Sequence, residues 1–233
     1  MRKTREILKD LIFPQRCIFC NKITDYSHFV CEECKLNYPL KDAEVCKRCG
    51  KYKKNCICRD LSPSVYRMVS ACPYEGDAIN KIKAFKADKE SFLGDDFADM
   101  LVNVLSCMQD GEIFPTITYI PMEKEKIRLR GHNMAKTLAS KIAQRTGITL
   151  IDPPIEKVYT EKFQHDLKRQ ERFKNASLSF LDKGKPVDGN IILVDDIITT
   201  GATIQRAADI LVNNGAGKVL ALSIASTQKR ERQ

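Results

Sequence analysis

Apolar residues follow two different periods along most of this chain, and segments with the two periods alternate. Val65–Tyr74 and Thr116–Ile120 have the pattern of strands, and Pro121 stops the second one. Ile191–Val194 is a run of four apolar residues, typical of a strand buried on both faces, and Val219–Ala225 is predicted to be the last strand. The helical period covers Asp77–Lys86, Phe92–Met108, Asn133–Thr146 and Ala202–Val212.

Turn residues are placed where two of these helices should end. Gly147 follows the third helix, and Asn214–Gly215 follows the fourth. Strands that alternate with helices predict an α/β fold with a mostly parallel sheet and helices on both faces. A charged stretch begins near residue 160, and we predict no regular element there.

Cysteines are concentrated before the first strand, where eight of the ten lie between Cys17 and Cys58. They form four close pairs: Cys17/Cys20, Cys31/Cys34, Cys46/Cys49 and Cys56/Cys58. A two-residue spacer lets both thiolates reach one tetrahedral Zn²⁺, so eight ligands predict two Cys₄ sites. Four thiolates leave no position for water, and the sites should therefore be structural.

Two arrangements of these ligands are open. Neighbouring pairs would place Cys17 to Cys34 around one ion and Cys46 to Cys58 around the other, whereas a crossed arrangement would join the first pair to the third. The last pair has only one residue between its thiols, which makes the second site the less regular one. We expect residues 1–60 to form a helix and a zinc module, and residues 61–233 to form the α/β domain.

The N-terminal segment Met1–Phe13 is predicted to be a short amphipathic helix. Lys9 and Asp10 interrupt its apolar residues, so it lacks the apolar region of a secretory signal. We therefore expect a cytoplasmic protein in a reducing environment, where dense cysteines bind metal rather than form disulfides. Cys72 and Cys107 stand among apolar residues and are predicted to be small buried side chains. No apolar run is long enough to span a membrane.

The segment after the buried strand predicts a phosphate-sugar site. Asp195 and Asp196 follow the strand, and a hydroxyl-rich loop then opens a helix. Backbone N–H groups at a helix start can bind a phosphate monoester, and the adjacent carboxylates can accept bonds from ribose hydroxyls or hold Mg²⁺ through water. The loop residues that would surround the phosphate are Thr199, Thr200, Gly201, Ala202 and Thr203.

This segment has two other interpretations. The two aspartates could cap the next helix, with Thr-Thr-Gly as an ordinary turn. A nucleotide triphosphatase would need a G-x-x-x-x-G-K-[ST] loop, and the chain contains none. The phosphate-sugar site is the interpretation we favour.

The segment Ile191–Thr203 resembles the signature loop of type I phosphoribosyltransferases. Together with the cysteine pairs, it resembles the ComF family of competence-associated proteins over nearly the whole chain. Other matching pieces are Tyr74-Glu75-Gly76 followed by Ile82-Lys83, Arg130-Gly131-His132-Asn133, and the mobile-loop positions Gln164, Leu167, Arg172 and Asn175.

The resemblance implies a ligand and several contacts. The ligand is 5-phosphoribosyl-1-diphosphate with Mg²⁺, bound by Asp195 and Asp196 and by the phosphate loop. The loop around 121–126 would contact the diphosphate, with Lys124, Lys126, Arg128 and Arg130 as candidates. A basic cluster directly after a strand suits such a polyanion, although a solvated charged loop has the same composition.

The chain also departs from the family pattern. Only Ile120-Pro121-Met122 remains of a longer proline-containing run, and His132 and Met134 replace a phenylalanine and a glutamine. The mobile loop lacks an arginine often found near Tyr159. Thr199 occupies the position where 6-oxopurine transferases have an aspartate, and a threonine cannot take up a proton at neutral pH. This departure disfavours a hypoxanthine-guanine enzyme.

Two functional hypotheses remain. The first is an enzyme that transfers the phosphoribosyl group to a nucleobase or amine in nucleotide salvage, with no DNA role. The second is a protein that handles or imports single-stranded DNA during natural transformation beside a helicase partner, as the ComF resemblance implies. The net charge of +9 and the C-terminal basic tail (Lys229, Arg230 and Arg232) suit a phosphate backbone, but solvated surfaces have the same charges. Because the chain contains no tryptophan, no platform for base stacking is evident in the sequence.

Overall fold

A five-stranded parallel sheet forms the centre of the protein. The computed structural model describes residues 16–17, 20, 22–24, 30–37, 45–75, 77–86, 93–108, 111–157 and 180–228. Its strands are β1 (Val65–Pro73), β2 (Thr116–Tyr119), β3 (Thr149–Leu150), β4 (Ile155–Lys157), β5 (Phe180–Asp182), β6 (Ile191–Ile198) and β7 (Val219–Ser226). The sheet order is β1-β7-β6-β2-β3, and β4 and β5 form a separate antiparallel pair.

Helices lie on both faces of this sheet. They are α1 (Glu32–Asn37), α2 (Asp77–Lys86), α3 (Leu93–Ser106), α4 (Lys124–Arg130), α5 (Met134–Thr146) and α6 (Ala202–Asn213), with short 3₁₀ turns at Lys53–Asn55 and Cys58–Asp60. Helices α2, α3 and α5 pack into one apolar cluster, whereas α6 packs into the cluster on the opposite face. This is the predicted α/β architecture, and every residue of β7 is buried between the two layers.

The long periodic segments formed the predicted elements, and the differences lie in short or polar segments. Strand β6 continues four residues beyond Val194, because β7 runs beside it as far as the pair Ile198 and Ser226. Asp195 and Asp196 are therefore strand residues and not the start of a loop. Strands β3, β4 and β5 were not predicted, since two or three residues carry no readable period.

The basic segment after β2 is also different from the prediction. We expected a loop, but Lys124–Arg130 forms helix α4, which Gly131 ends with a positive φ of 84°. None of the residues of α4 is buried, so no apolar stripe could reveal the helix in the sequence.

The two isolated cysteines differ in burial. Cys72 is 1% exposed in β1, and burial raises the pKa of its thiol to about 12, which agrees with a small packing residue. Cys107, predicted to be buried, is exposed and lies in the turn that follows the end of α3 at Ser106.

Several predictions lie outside the described residues. These are the N-terminal helix over Met1–Phe13, the mobile-loop residues Gln164 and Arg172, and the C-terminal basic tail. Among the helices that the structure does describe, none combines the length and the apolar composition needed to cross a bilayer.

Candidate functional site

The eight cysteines before β1 form two clusters of four thiols. Cys17, Cys20, Cys31 and Cys34 make the first, and Cys46, Cys49, Cys56 and Cys58 make the second. The sulfur atoms of each cluster lie within 4.8 Å of one another. Four thiolates around a tetrahedral Zn²⁺ are separated by about 3.8 Å, as expected from Zn–S bonds of about 2.3 Å.

The measured sulfur separations fit this geometry. Sγ atoms are 3.5 Å apart between Cys46 and Cys58 and 3.7 Å apart between Cys49 and Cys56. In the first cluster, the Sγ atoms of Cys20 and Cys31 are 3.5 Å apart. Both clusters are thus structural Cys₄ zinc sites, and neighbouring pairs, not crossed ones, share each ion. The one-residue spacer of the last pair does not prevent the second site.

The two sites pack against opposite faces of the sheet. Cys17, Cys34 and Val30 belong to the apolar cluster that contains α3. Cys49 and Leu61 belong to the cluster that contains α6. We call the described residues of these two modules the first ribbon (16–37) and the second ribbon (45–61).

The aspartate pair lies where the sheet opens at its carboxyl edge. β2 pairs with β6 only as far as Tyr119 and Val194, so Asp195 and Asp196 continue beyond the end of β2. The helices that follow β2 and β6 cover opposite faces, which makes this a topological switch point. Ligands of open α/β sheets bind in such crevices.

A cavity of about 170 Å³ occupies this crevice. Asp195 and Asp196 form one wall, and Asn133 is held in another because its side chain caps α5 and donates to the carbonyl oxygen of Ile120 at 3.0 Å. The cations of the wall are Lys126, Arg130 and Lys157. The cavity therefore brings two carboxylates and three cationic side chains together at one edge of the sheet.

The two carboxylates have different electrostatic environments. Asp196 is ion-paired with Lys86, whose Nζ lies 2.7 Å from Oδ2. Burial, together with the neighbouring Asp196 carboxylate, raises the pKa of Asp195 to about 7 despite the opposing effect of Lys157 and Lys86. The ionised form of Asp195 is thus destabilised in the ligand-free fold.

The loop between β6 and α6 has the features of a phosphate cradle. Gly201 precedes α6 with a φ of 83°, and because it has no side chain, the N-cap residue itself makes no bond to the first-turn N–H groups. Thr200 Oγ1 accepts a bond from Ala202 N at 3.3 Å, which tightens the turn. Thr199 is exposed and Thr203 is half-buried. These residues stand next to the cavity in sequence but do not line it.

The four basic candidates on α4 separate into two pairs. Lys126 and Arg130 line the cavity. Lys124 and Arg128 do not, and the Lys124 side chain is 87% exposed with its Nζ 3.3 Å from Glu156. The helical spacing of four residues puts Lys126 and Arg130 on one face.

Two cations beside the aspartates were missed at the sequence level. Lys86 is the last residue of α2, and Lys157 is the last residue of β4. Neither lies near the aspartates in sequence, and no motif separates them from the other basic residues of a chain that has 39 of them. The tertiary structure alone brings them to the site.

Comparisons with known proteins agree with this architecture. The double zinc ribbon domain matches residues 8–64, and the phosphoribosyl transferase domain matches residues 128–233. The competence protein ComFC of Bacillus subtilis is 28% identical over 210 residues, which cover 80% of this chain and 79% of that protein. The chain thus combines a double zinc ribbon with a phosphoribosyltransferase domain, and its match to ComFC is consistent with the ComF family.

A second relative matches over a similar length. The DNA utilization protein YhgH of Salmonella typhi is 25% identical over 219 residues, covering 90% of this chain and 96% of that protein. Among solved structures, orotate phosphoribosyltransferase from Aeropyrum pernix covers 59% of this chain and 72% of its own, with 19% identity and a TM-score of 0.34. The ComF resemblance inferred from the cysteine pairs and the Ile191–Thr203 segment is therefore confirmed.

Proposed function

We propose that this protein binds 5-phosphoribosyl-1-diphosphate at the carboxyl edge of its sheet and takes part in handling or importing single-stranded DNA in natural transformation. The observation that carries the ligand proposal is the aspartate pair. Asp195 and Asp196 face a cavity lined by Lys126, Arg130 and Lys157, and Gly201, five residues after Asp196, precedes the start of a helix.

Each part of the ligand has a complementary group. The carboxylates of Asp195 and Asp196 would accept hydrogen bonds from the two ribose hydroxyls. The loop from Thr199 to Thr203 would bind the 5-phosphate through backbone N–H groups and hydroxyls. Lys126 and Arg130 would bind the diphosphate, with Lys124 and Arg128 contributing only long-range charge.

Magnesium fits the same edge of the site. Two adjacent carboxylates next to a diphosphate position offer the hard oxygen ligands that Mg²⁺ prefers. When bound, the ion would neutralise charge on the diphosphate. The protein's own residues would orient the ribose and keep the diphosphate against the cations of α4.

Any transfer reaction at this site would depend on positioning and electrostatics. Thr199 cannot act as a general base, and the cations of α4 would stabilise charge on a departing diphosphate. Asp195 and Asp196 would hold the ribose while a nitrogen nucleophile attacks C1. A salvage enzyme with no DNA role is the alternative, and Thr199 disfavours its 6-oxopurine form.

The DNA part of the proposal is supported by two observations. Relatives that match along most of their length are named for competence and for DNA utilization. The chain also carries 39 basic against 30 acidic residues, an excess larger than one phosphorylated sugar requires. Basic surfaces outside the cavity would contact backbone phosphates.

Calorimetry tests the ligand site. The double variant Asp195→Asn with Asp196→Asn keeps side-chain shape and removes both charges, so binding of 5-phosphoribosyl-1-diphosphate with Mg²⁺ should weaken by about 1.5–3 kcal/mol per lost charged hydrogen bond. Asp188→Asn, an exposed carboxylate that precedes the amino end of β6 and does not line the cavity, is the control and should bind as the wild type does. Equal affinity in the double variant would refute the site.

Fluorescence anisotropy with labelled single-stranded DNA tests the DNA role. Affinity should fall as salt rises, and the aspartate variant should retain it, because the two ligands are expected to use different surfaces. A protein that binds the sugar diphosphate but no DNA at low salt would favour the salvage enzyme.

A further inference from the structure

The second ribbon reaches the phosphate loop through one buried lysine. Lys51 follows the Cys46–Cys49 turn and is only 3% exposed. Its Nζ donates to the carbonyl oxygen of Thr199 at 2.8 Å and to that of Thr227 at 2.6 Å. A buried ammonium group requires such acceptors, so the lysine and these two carbonyl groups fix one another.

This contact sets the orientation of a peptide group in the phosphate loop. The Thr199 carbonyl points toward Lys51 and also accepts a bond from Thr227 Oγ1 at 3.2 Å. In a trans peptide the following N–H points the opposite way, and the described chain contains no cis peptide. The N–H of Thr200 therefore points away from the ribbon, because the Thr199 carbonyl of the same peptide group is bonded to Lys51.

The ribbon itself is fixed against the sheet. Met68 N, on edge strand β1, donates to the carbonyl oxygen of Arg48 at 2.7 Å. Gly50 has a φ of 66°, and a Cβ there would lie 2.7 Å from the carbonyl oxygen of Met68. Only glycine permits this approach, so the turn that presents Lys51 is in close backbone contact with the edge of the sheet.

Further contacts tie the second ribbon, and the residue that follows it, to elements beside the same loop. Ser62, which directly follows the ribbon, bonds to Gln205 and to Asp209 on α6, at 2.8 Å and 2.5 Å. Tyr52 N donates to Gln228 Oε1 at 2.9 Å, just after β7. The described residues of the first ribbon instead pack with α3 on the opposite face. Among the described residues of the two zinc modules, those of the second contact the phosphate loop directly.

We propose that Lys51 is a positioning residue that makes the second zinc site a support for the phosphate loop, so that 5-phosphate binding and zinc retention in this site reinforce each other. The inference rests on the proposed function, since it assigns a support to the same phosphate loop. Coupling between two binding sites is reciprocal, so either ligand can report it.

Ribose 5-phosphate is the probe for the loop, because it carries the 5-phosphate without the diphosphate. Lys51→Met keeps the length of the side chain and removes the charge, and its affinity for ribose 5-phosphate should fall on the order of tenfold. Lys47→Met is the matched control, an exposed lysine of the same ribbon, and should bind like the wild type. Affinity of Lys51→Met for inorganic diphosphate with Mg²⁺ should stay unchanged, because Lys126 and Arg130 belong to α4.

The zinc arm uses the wild-type protein loaded with both ions. Saturating ribose 5-phosphate should slow the transfer of one zinc ion to a colorimetric chelator and leave the other unchanged, since only the second site contacts the loop. Cys17→Ser identifies the protected ion, because a variant without the first site should still show protection. This measurement decides the question even if Lys51→Met does not fold.

The outcomes separate the inference from the proposed function. If the wild type does not bind ribose 5-phosphate or 5-phosphoribosyl-1-diphosphate, the proposed function fails and the coupling fails with it. If the wild type binds but Lys51→Met binds equally, or if the ligand protects neither zinc ion or both, the coupling is wrong and the proposed function stands.

Discussion

The raised pKa of Asp195 predicts that this site is maintained at a cost in folding stability. Replacing Asp195 by Asn removes a carboxyl group whose pKa rises from 3.8 to about 7 on folding. Such a rise corresponds to at most about 4 kcal/mol of destabilisation when the group is ionised in the folded state. Because Asp195 keeps partial contact with solvent, we expect about half of that value, ~2 kcal/mol.

The sign of the pH dependence follows from proton binding. Below pH 3.8 the group is protonated in both states and has no effect on stability. Between pH 3.8 and about 7 the unfolded chain loses the proton while the folded protein keeps it, so stability falls as pH rises. Above about 7 the penalty is complete and constant. The Asn variant lacks this dependence, and its stability advantage should therefore grow up to neutral pH and then level off.

Urea denaturation of the zinc-loaded proteins at several pH values measures this difference. The comparison with wild type at each pH cancels the loss of zinc in acid, which affects both proteins equally. Asp188→Asn is the matched control, because it removes an exposed carboxylate outside the cavity and should bring no such gain in stability. An Asp195→Asn variant that is less stable than wild type at neutral pH, or whose advantage does not change with pH, would refute the reasoning.

Three further predictions concern the metal sites, the basic helix and the tail. Elemental analysis should find two zinc ions per chain, and Cys17→Ser should lower the content to one; a single ion in the wild type would contradict the two clusters. Replacing Lys126 and Arg130 by Gln should weaken 5-phosphoribosyl-1-diphosphate binding tenfold or more, by roughly 1.4 kcal/mol at least, whereas the same changes at Lys124 and Arg128 should have a smaller effect in calorimetry. Neutralising the C-terminal basic tail should lower the salt dependence of single-stranded DNA binding by roughly 0.7 log units per lost phosphate contact, and an unchanged slope would remove the tail from the DNA surface.

The sequence by itself determined the features that depend on local spacing. The four cysteine pairs predicted two zinc sites, because ligand spacing decides whether two thiolates can reach one ion. The apolar periods predicted β1, β7, α3 and α5 nearly to their ends, since burial of one face requires that pattern. The Ile191–Thr203 segment likewise carried the ComF resemblance within a short stretch of chain.

Tertiary structure decided what depends on which segments meet. The choice between neighbouring and crossed cysteine pairs was open because both satisfy the same spacing, and only the packing of the two ribbons on opposite faces resolved it. Asp195 became a strand residue because β7, distant in sequence, pairs with it. Lys86 and Lys157 reach the aspartates from separate elements, and Lys51 reaches Thr199 across 148 residues of chain. A charged side chain carries no signal of its eventual partner, because that partner is brought near only when the sheet and the ribbons pack together.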